Sequence, residues 1–434
     1  MWNYHQSIMY QIYPFGLLNA LHPGKETRNI KALTEWCDHL KQLNVDAVYF
    51  SPLLESDYHG YDTKNFGEID HRIGNNEDFK KVVKAYHAHG IKVILDGVFN
   101  HVGRGFWAFQ DVIAYRENSL YKDWFYIDFN GNTAYQDGFY YEGWEGHHEL
   151  VKLNLKNPAV VEHILGNVDF WINAYGIDGL RLDVAYMLDR DFIAQLRHFT
   201  KSRKPDFFLI GETIHGDYNQ IVNDRMLDSC TNYECFKGLY SSFNDKNFFE
   251  ISFSLNRQFG PENWTLYKGK HLVNFVDNHD VSRIASLLND KRDLPLIYGL
   301  LFSMPGIPCL YYGSEWGTEA LKGTNSDDAL RPAFKAPEWN ELTEFISQLA
   351  KIHAHSQALT DGSYRNVYVN NQQLVFERAC DQETILAAIN LSDEQVTLPQ
   401  SFAGTYQDLI TQKTIAVSPL TLPAKSVYYL KQIK

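Results

Sequence analysis

"GLRLDVA", residues Gly179–Ala185, decides the fold. Side chains alternate along a strand, so Arg181 and Asp183 share one face while Leu180 and Leu182 share the other. If the leucines face covering helices, the charged pair must point into the interior of a closed sheet. There the guanidinium is expected to hold the Asp183 carboxylate ionised, as a nucleophile or base must be.

Working outward, short β-rich runs alternate with helical patterns. The strand candidates are "IMYQIYP" (Ile8–Pro14), "VDAVYFSP" (Val45–Pro52), "IKVILDGVF" (Ile91–Phe99), "IDGLRLDVA", "DFFLIGET" (Asp206–Thr213), the weaker "MLDSCTNY" (Met226–Tyr233), "LVNFVDNHD" (Leu272–Asp280) and "GIPCLYYG" (Gly306–Gly313). Between them, "IKALTEWCDHLKQLN" places Ile30, Leu33, Trp36, Leu40 and Leu43 on one helical face, and "NEDFKKVVKAYHAHG" predicts a helix stopped at Gly90. Such alternation implies a parallel sheet with helical crossovers, and eight strands favour a (β/α)8 barrel over an open doubly wound sheet. No GxGxxG follows the first strand, which weakens a dinucleotide-binding reading.

Two regions break the rhythm. A long segment after the third strand is rich in Tyr, Phe, Trp, Gly and Asn, and long irregular insertions are usually functional. From about Gly362 the pattern is strand and turn only. The expected fold is therefore α/β: a (β/α)8 barrel with an insertion after strand 3 and a C-terminal antiparallel β domain. The division is 1–101 first barrel part, 102–151 insertion, 152–358 second barrel part and 359–434 C-terminal domain.

The 434 residues, 44% hydrophobic and 21% charged, suit an ordinary globular protein with more than one domain. A net charge of −13 argues against nucleic acid as a partner. Aromatics at 15% exceed what a core needs and suit stacking on flat ligand faces. No apolar run is long enough to span a bilayer, and "MWNYHQSIMYQIYPFG" does not read as a signal peptide. Cys37, Cys230, Cys235, Cys309 and Cys380 are odd in number and lack metal-type spacing, so the expectation is reduced thiols in the cytoplasm.

Barrel active sites lie at the C-terminal ends of the strands. Asp96, Asn100 and His101 follow the third strand, Arg181 and Asp183 the fourth, Glu212 the fifth, and Asp277, His279 and Asp280 the seventh. Glu212 follows an apolar run, so a raised pKa suiting a general acid is expected. Two carboxyls in different protonation states are what glycoside hydrolysis requires. Each group also has a plainer reading. Arg181 with Asp183 could be a structural ion pair, and Glu212 or Asp280 could cap a helix. The convergence of all of them on one barrel face outweighs those readings. His87, His89, His353 and His355 lie in helical stretches and read as surface residues, and no HxH or HExxH spacing supports a metal-dependent hydrolase.

"DGVFNH", "GLRLDVA", "GET" and "FVDNHD" resemble, in order and spacing, the four core motifs of the α-amylase family. "LRLDVA", "HGYDTKNFGEID", "YKDWFYI" and "GWEGHHELVKLN" are most similar to the cyclomaltodextrinase, neopullulanase and maltogenic amylase branch. The N-terminal β domain usual in that branch does not precede the first strand here. "FVDNHD" is closer to ordinary amylases, and Ser314 in "YYGSEWG" stands where the family commonly has Asp.

The resemblance implies a retaining hydrolase of α-1,4 bonds in maltodextrins or cyclomaltodextrins. Asp183 would be the nucleophile, Glu212 the acid/base and Asp280 the transition-state stabiliser. Arg181 would orient Asp183, His101 and His279 would bind hydroxyls, Tyr61 would stack beneath the sugar, and Asp62 would make a further hydroxyl contact. The same residues would also serve a 4-α-glucanotransferase or an α-glucosidase. A non-catalytic carbohydrate-binding protein is the rival of another class, and the presence of all three carboxylates disfavours it. No cofactor is required.

Asn100 matches a position that ligates a structural calcium in many members, yet plain hydrogen bonding is an equal reading. Asp111, Asp123, Asp128 and Asp137 of the insertion form no calcium loop, and "LHPGKETRN" after the first strand lacks an Asp-rich motif. The expected partner is a small α-glucan, short or cyclic rather than polymeric. Phe106, Trp107, Trp124, Tyr140, Tyr141 and Trp144 are enough to wall one side of the cleft, with some of them serving the insertion's own core. The oligomeric state is not legible in these residues.

Overall fold

The computed structural model describes residues 2–21, 27–399, 402 and 404–433. His22–Glu26 of "LHPGKETRN" lie outside them.

Eight parallel strands form the barrel: β1 Met9–Ile12, β2 Ala47–Phe50, β3 Lys92–Gly97, β4 Gly179–Leu182, β5 Phe208–Gly211, β6 Ser229–Cys230, β7 Val273–Asn274 and β8 Ile307–Tyr311. Hydrogen-bonded neighbours run β6-β5-β4-β3-β2-β1-β8-β7. A parallel bridge between Thr231 and Val273, with the Asn232 amide donating to the Val273 carbonyl at 2.8 Å, brings the two ends together. All eight strands correspond to predicted runs, although β6 and β7 are only two residues long.

Alternation sorts each strand as expected. Met9, Ala47, Tyr49, Ile94, Phe208, Ile210, Val273, Ile307 and Cys309 form an apolar plug inside the barrel, with Trp2 and Tyr4 packed against it. Leu180 and Leu182 belong to the separate core between sheet and helices. Fully burying each large apolar side chain contributes about 1.5–3 kcal/mol, so the inner plug and outer shell both stabilise the closed sheet. Above the plug the same inward positions turn polar: Gln11, Tyr49, Asp96 and Arg181. The register pairs Gln11 with Tyr49 and Arg181 with Asp96, which is why these groups meet.

The first predicted helix begins as a 3-10 segment, Ile30–Trp36, and becomes α-helical only over Cys37–Gln42. Its apolar face is buried as predicted. The helix Asn76–Ala88 ends before Gly90, whose φ of +75° turns the chain into β3.

The insertion leaves and re-enters the barrel through one antiparallel pair, His101–Gly103 against His147–Lys152. Phe106, Phe109, Phe139 and Tyr141 fill its core, and Trp124 is also buried. The part of the expectation that gives some of the six to the insertion's own core holds for Phe106, Trp124 and Tyr141, and the cleft wall is smaller than expected. Trp107 packs on Trp124 and on His163 of helix Pro158–Phe170, and Tyr140 meets His148. Trp144 alone of the six contacts a site residue, its ring 6.0 Å from that of His101. An insertion this small spends its aromatics on its own core.

The C-terminal sheet contains β9 Ser363–Val369, β10 Gln373–Cys380, β11 Glu383–Asn390, β12 Gly404–Asp408, β13 Thr414–Val417 and β14 Ser426–Gln432. Its order is β9-β10-β11-β14-β12-β13, antiparallel throughout. No helix among the described residues is long and apolar enough to cross a membrane.

Candidate active site

The polar layer above the plug is organised by Arg181, 3% exposed. Its Nη1 donates to Asp96 Oδ2 (3.0 Å) and to Asp183 Oδ1 (2.9 Å). Its Nη2 lies 2.8 Å from Glu212 Oε1. One guanidinium thus holds three carboxyls from the ends of β3, β4 and β5. Tyr49 also donates to Asp96, at 3.1 Å.

Local backbone geometry completes the arrangement. Val184 sits at φ +48°, ψ +41°, a conformation that costs a β-branched residue roughly 1–2 kcal/mol. The turn aims the Val184 amide at Glu212 Oε2, 2.9 Å away. Gly211 permits the close approach of the two strand ends, because a Cβ there would lie 2.8 Å from that of Ala185 and 2.5 Å from Leu227. Glu212 therefore sits among hydrogen bonds to its carboxylate oxygens rather than in the apolar setting its sequence context suggested.

Burial and then the Glu212 charge push the Asp183 carboxyl well above the usual range, against the pull of Arg181. Arg181 pulls toward the ionised form, as expected, but its guanidinium is divided among three carboxyls. Burial likewise raises Asp96, with Arg181 opposing. Asp280 goes the other way. Burial would raise it, but His279 and Arg331 outweigh that and hold it well below the usual range.

Around this centre the predicted binding residues assemble. Gln11 Nε2 donates to His279 Nδ1 at 2.7 Å, which leaves Nε2 as the protonated nitrogen, 3.0 Å from Asp280 Oδ2. The Tyr61 hydroxyl contacts His279 Nε2 and donates to Asp96 at 3.3 Å, and the two rings stack at 5.6 Å. His101 Nε2 is buried 3.9 Å from Asp183 Oδ2 and has no hydrogen-bond partner. Burial lowers His101 to about 3, so it is neutral. Asp62 is turned onto its own loop, accepting from the His59 and Gly60 amides at 3.1 and 3.0 Å. It shapes the loop that carries Tyr61.

"FVDNHD" separates into two jobs. Asp277 accepts from the Ile284 amide at 2.7 Å and from Ser314 Oγ at 2.8 Å, so it is the structural carboxylate. Ser314 in turn accepts from Arg283, filling the loop position where an Asp was expected. Asp280 caps no helix, since the next one begins at Ile284. Its Oδ1 takes Arg331 at 3.2 Å. Arg331 went unrecognised in the sequence: it is a single cation in an irregular loop, and its one signal is its place between the apolar Leu330 and Pro332.

His353 is a further correction. It is fully buried, with Nδ1 at 2.7 Å from the Phe302 carbonyl, because its helix is covered on that side. His87 and His355 are exposed, as expected, and His89 is half-buried.

The residues do not fit a calcium cage. The Asn100 amide nitrogen is directed at His101 Nδ1, 3.2 Å away. Asp111 bonds Ser119, Asp128 takes the Asn130 amide, and Asp137 pairs with Arg104 at 2.8 Å. Among the described residues, neither cluster of three candidate ligand side chains includes a residue of the insertion.

Residues 11–340 match the α-amylase catalytic domain. The chain belongs to the α-amylase family. It is 32% identical over 380 residues to a cyclomaltodextrinase of a Bacillus species, covering 83% of this chain and 65% of that protein. The chain thus spans just under two thirds of that relative's length. A cyclomaltodextrinase structure covers 99% of this chain and 78% of its own, with 29% identity and a TM-score of 0.87. The cyclic α-maltosyl-(1→6)-maltose hydrolase of Arthrobacter globiformis, ligand-free, covers 99% of both chains, with 25% identity and a TM-score of 0.84.

Proposed function

We propose that this protein is a retaining α-glucan hydrolase cleaving α-1,4 bonds of maltodextrins and cyclomaltodextrins. The observation that carries the reading is Arg181 binding Asp183 and Glu212 through its two terminal nitrogens. That arrangement keeps a nucleophile and an acid beside one another, as a retaining mechanism needs.

In the proposed reaction Asp183 attacks the anomeric carbon while Glu212 gives its proton to the departing glycosidic oxygen. Glu212 then takes a proton from water, which displaces Asp183. The mechanism needs the acid's proton on Glu212 and leaves Asp183 free to attack. Asp280, held ionised by His279 and Arg331, opposes the positive charge that develops on the sugar. The unpartnered His101 Nε2 suits a sugar hydroxyl, and His279 and Tyr61 suit the same ring. Asp62 acts through the Tyr61 loop. Asn100 orients His101 in place of ligating calcium. We take 1–101 and 152–358 as the barrel, 102–151 as the insertion and 359–434 as the C-terminal domain. Unpaired cysteines support a cytoplasmic location.

The test is product analysis. The protein is incubated with maltohexaose, β-cyclomaltodextrin, soluble starch and pullulan, and the first products are followed by NMR. Release of α-anomers, with a higher kcat/KM per glucose unit on maltohexaose and β-cyclomaltodextrin than on starch, is expected. First-formed β-anomers would overturn the retaining assignment. Starch equal to or better than both would overturn the substrate class, and longer glucans accumulating without net hydrolysis would make the protein a 4-α-glucanotransferase. Activity after EDTA dialysis is expected to be unchanged. Loss restored by calcium alone would return Asn100 to the role of metal ligand.

A further inference from the structure

A second cluster lies apart from the catalytic groups. His5, on the short N-terminal helix Tyr4–Gln6, meets His271, the second residue before β7, and Asp361, at the end of helix Gln357–Asp361 leading into β9. The three come from segments far apart in sequence. Asp361 Oδ1 lies 3.3 Å from His5 Nδ1 and 3.1 Å from His271 Nε2. His271 and Asp361 also line a cavity of about 370 Å³ between the barrel and the C-terminal sheet, with Lys268, Tyr364 and Arg378.

We propose that His5, His271 and Asp361 form a binding site for a divalent transition metal of the zinc class, which ties the N-terminal segment to the start of the C-terminal domain.

Three lines of argument support it. The first is the donor set: two imidazoles and one carboxylate suit zinc, whereas calcium and magnesium prefer oxygen. The second is spacing. Ligand atoms at about 2.0–2.1 Å from a tetrahedral zinc are separated by roughly 3.4 Å. The two measured separations, 3.3 and 3.1 Å, are close to that edge. The third is access, because His5 and His271 are only partly buried and Asp361 is exposed.

The one adjustment required is in His5. The two imidazoles lie nearly parallel, 10° apart with centroids at 3.6 Å, so their lone pairs converge only if one ring tilts. His5 belongs to a three-residue helix with no buried residue, so it can move at small cost. The buried cation nearby is not a competitor for the carboxylate, since Arg378 donates to the carbonyls of Ser303, Gly362 and Ser363. The other three-ligand cluster, Glu55, Asp70 and His71, differs in this respect. There Arg72 already holds both oxygens of Asp70, at 2.8 and 2.6 Å.

The test uses the full chain, stripped with EDTA, and ZnCl2 titrated in competition with a chromophoric chelator. One zinc per chain is expected, together with a rise in melting temperature on adding zinc. His5→Gln and Asp361→Asn should each weaken binding at least tenfold and remove the thermal shift. Both variants should keep the wild-type kcat on maltohexaose, because neither residue touches the catalytic groups. Co2+ should give the visible spectrum of a four-coordinate site in the wild type and lose it in both variants. Failure to bind zinc, or zinc binding unchanged in both variants, would overturn the proposal. A thermal shift that survives in His5→Gln would mean that the metal sits elsewhere.

Discussion

Asp178 and Asp183 flank β4, five residues apart, and are almost equally buried. At the N-terminal end of β4, Asp178 takes Lys204 at 2.5 Å, His87 at 2.7 Å, Lys92 at 3.2 Å and the Val93 amide at 2.9 Å. Burial would raise it, but the bonds from His87, Lys204 and Val93 outweigh that and hold it well below the usual range. At the other end, Asp183 shares one Arg181 with Asp96 and Glu212 and is pushed up. An excess of cations holds a buried aspartate ionised, and an excess of carboxylates pushes one up, which is what the proposed reactive role of Asp183 draws on. Burial alone does not distinguish them.

The largest effect should come from the carboxylate-rich end. Asp183→Asn and Glu212→Gln should each lower kcat at least about 10³-fold, roughly 4 kcal/mol in the barrier, with circular dichroism unchanged. The comparison adds a sign. The folded-state pKa of Asp183 lies above its unfolded value, so ionisation there opposes folding as pH rises through the folded value. Asp183→Asn should therefore melt at the same temperature as the wild type, or higher, at pH 7. A clear drop in melting temperature would break the contrast between the two ends.

Asp178→Asn should do the opposite. Removing one partner from a buried ionic cluster costs about 3 kcal/mol, so denaturant unfolding should shift while kcat per folded molecule stays near wild type. The folded pKa of Asp178 is depressed. The stability it supplies is thus present above the unfolded value near about pH 4 and is lost as pH falls through the folded value. The gap between wild type and Asp178→Asn should narrow below pH 4, and a gap independent of pH would sink the electrostatic account.

His87→Gln sharpens the same point with a smaller effect. His87 is about one-third exposed, and Asp178 keeps Lys92, Lys204 and an amide. The loss should be under about 1 kcal/mol, measured by urea unfolding at pH 6. A loss as large as that of Asp178→Asn would mean that His87, Lys92 and Lys204 act as one unit.

The eight strands, the insertion and the β tail were legible because hydrophobic periodicity is local. The inward direction of Arg181 and Asp183 followed from the same alternation, since two leucines needed an apolar partner layer. Within "FVDNHD" the sequence marks a polar strand end without saying which carboxylate serves the loop. Asp277 and Asp280 parted only when Ser314 and the Ile284 amide came close to one of them and Arg331 to the other. Likewise, some of the insertion's aromatics were expected in its own core, but which ones was settled only by their packing on one another and on helix Pro158–Phe170.

The sequence by itself determined the order of strands and helices, which strand positions face inward and the identity of the polar groups at the strand ends, because those depend on chain direction and side-chain period. Only the tertiary structure decided that Arg181 is shared by Asp96, Asp183 and Glu212, that Gln11, Tyr49 and Arg331 join the site, and that His5, His271 and Asp361 meet at all. These contacts join residues that are distant in the chain. They are fixed by barrel register and loop packing, and the resulting electrostatics depend on the balance of charge within a few ångströms rather than on any residue's neighbours in sequence.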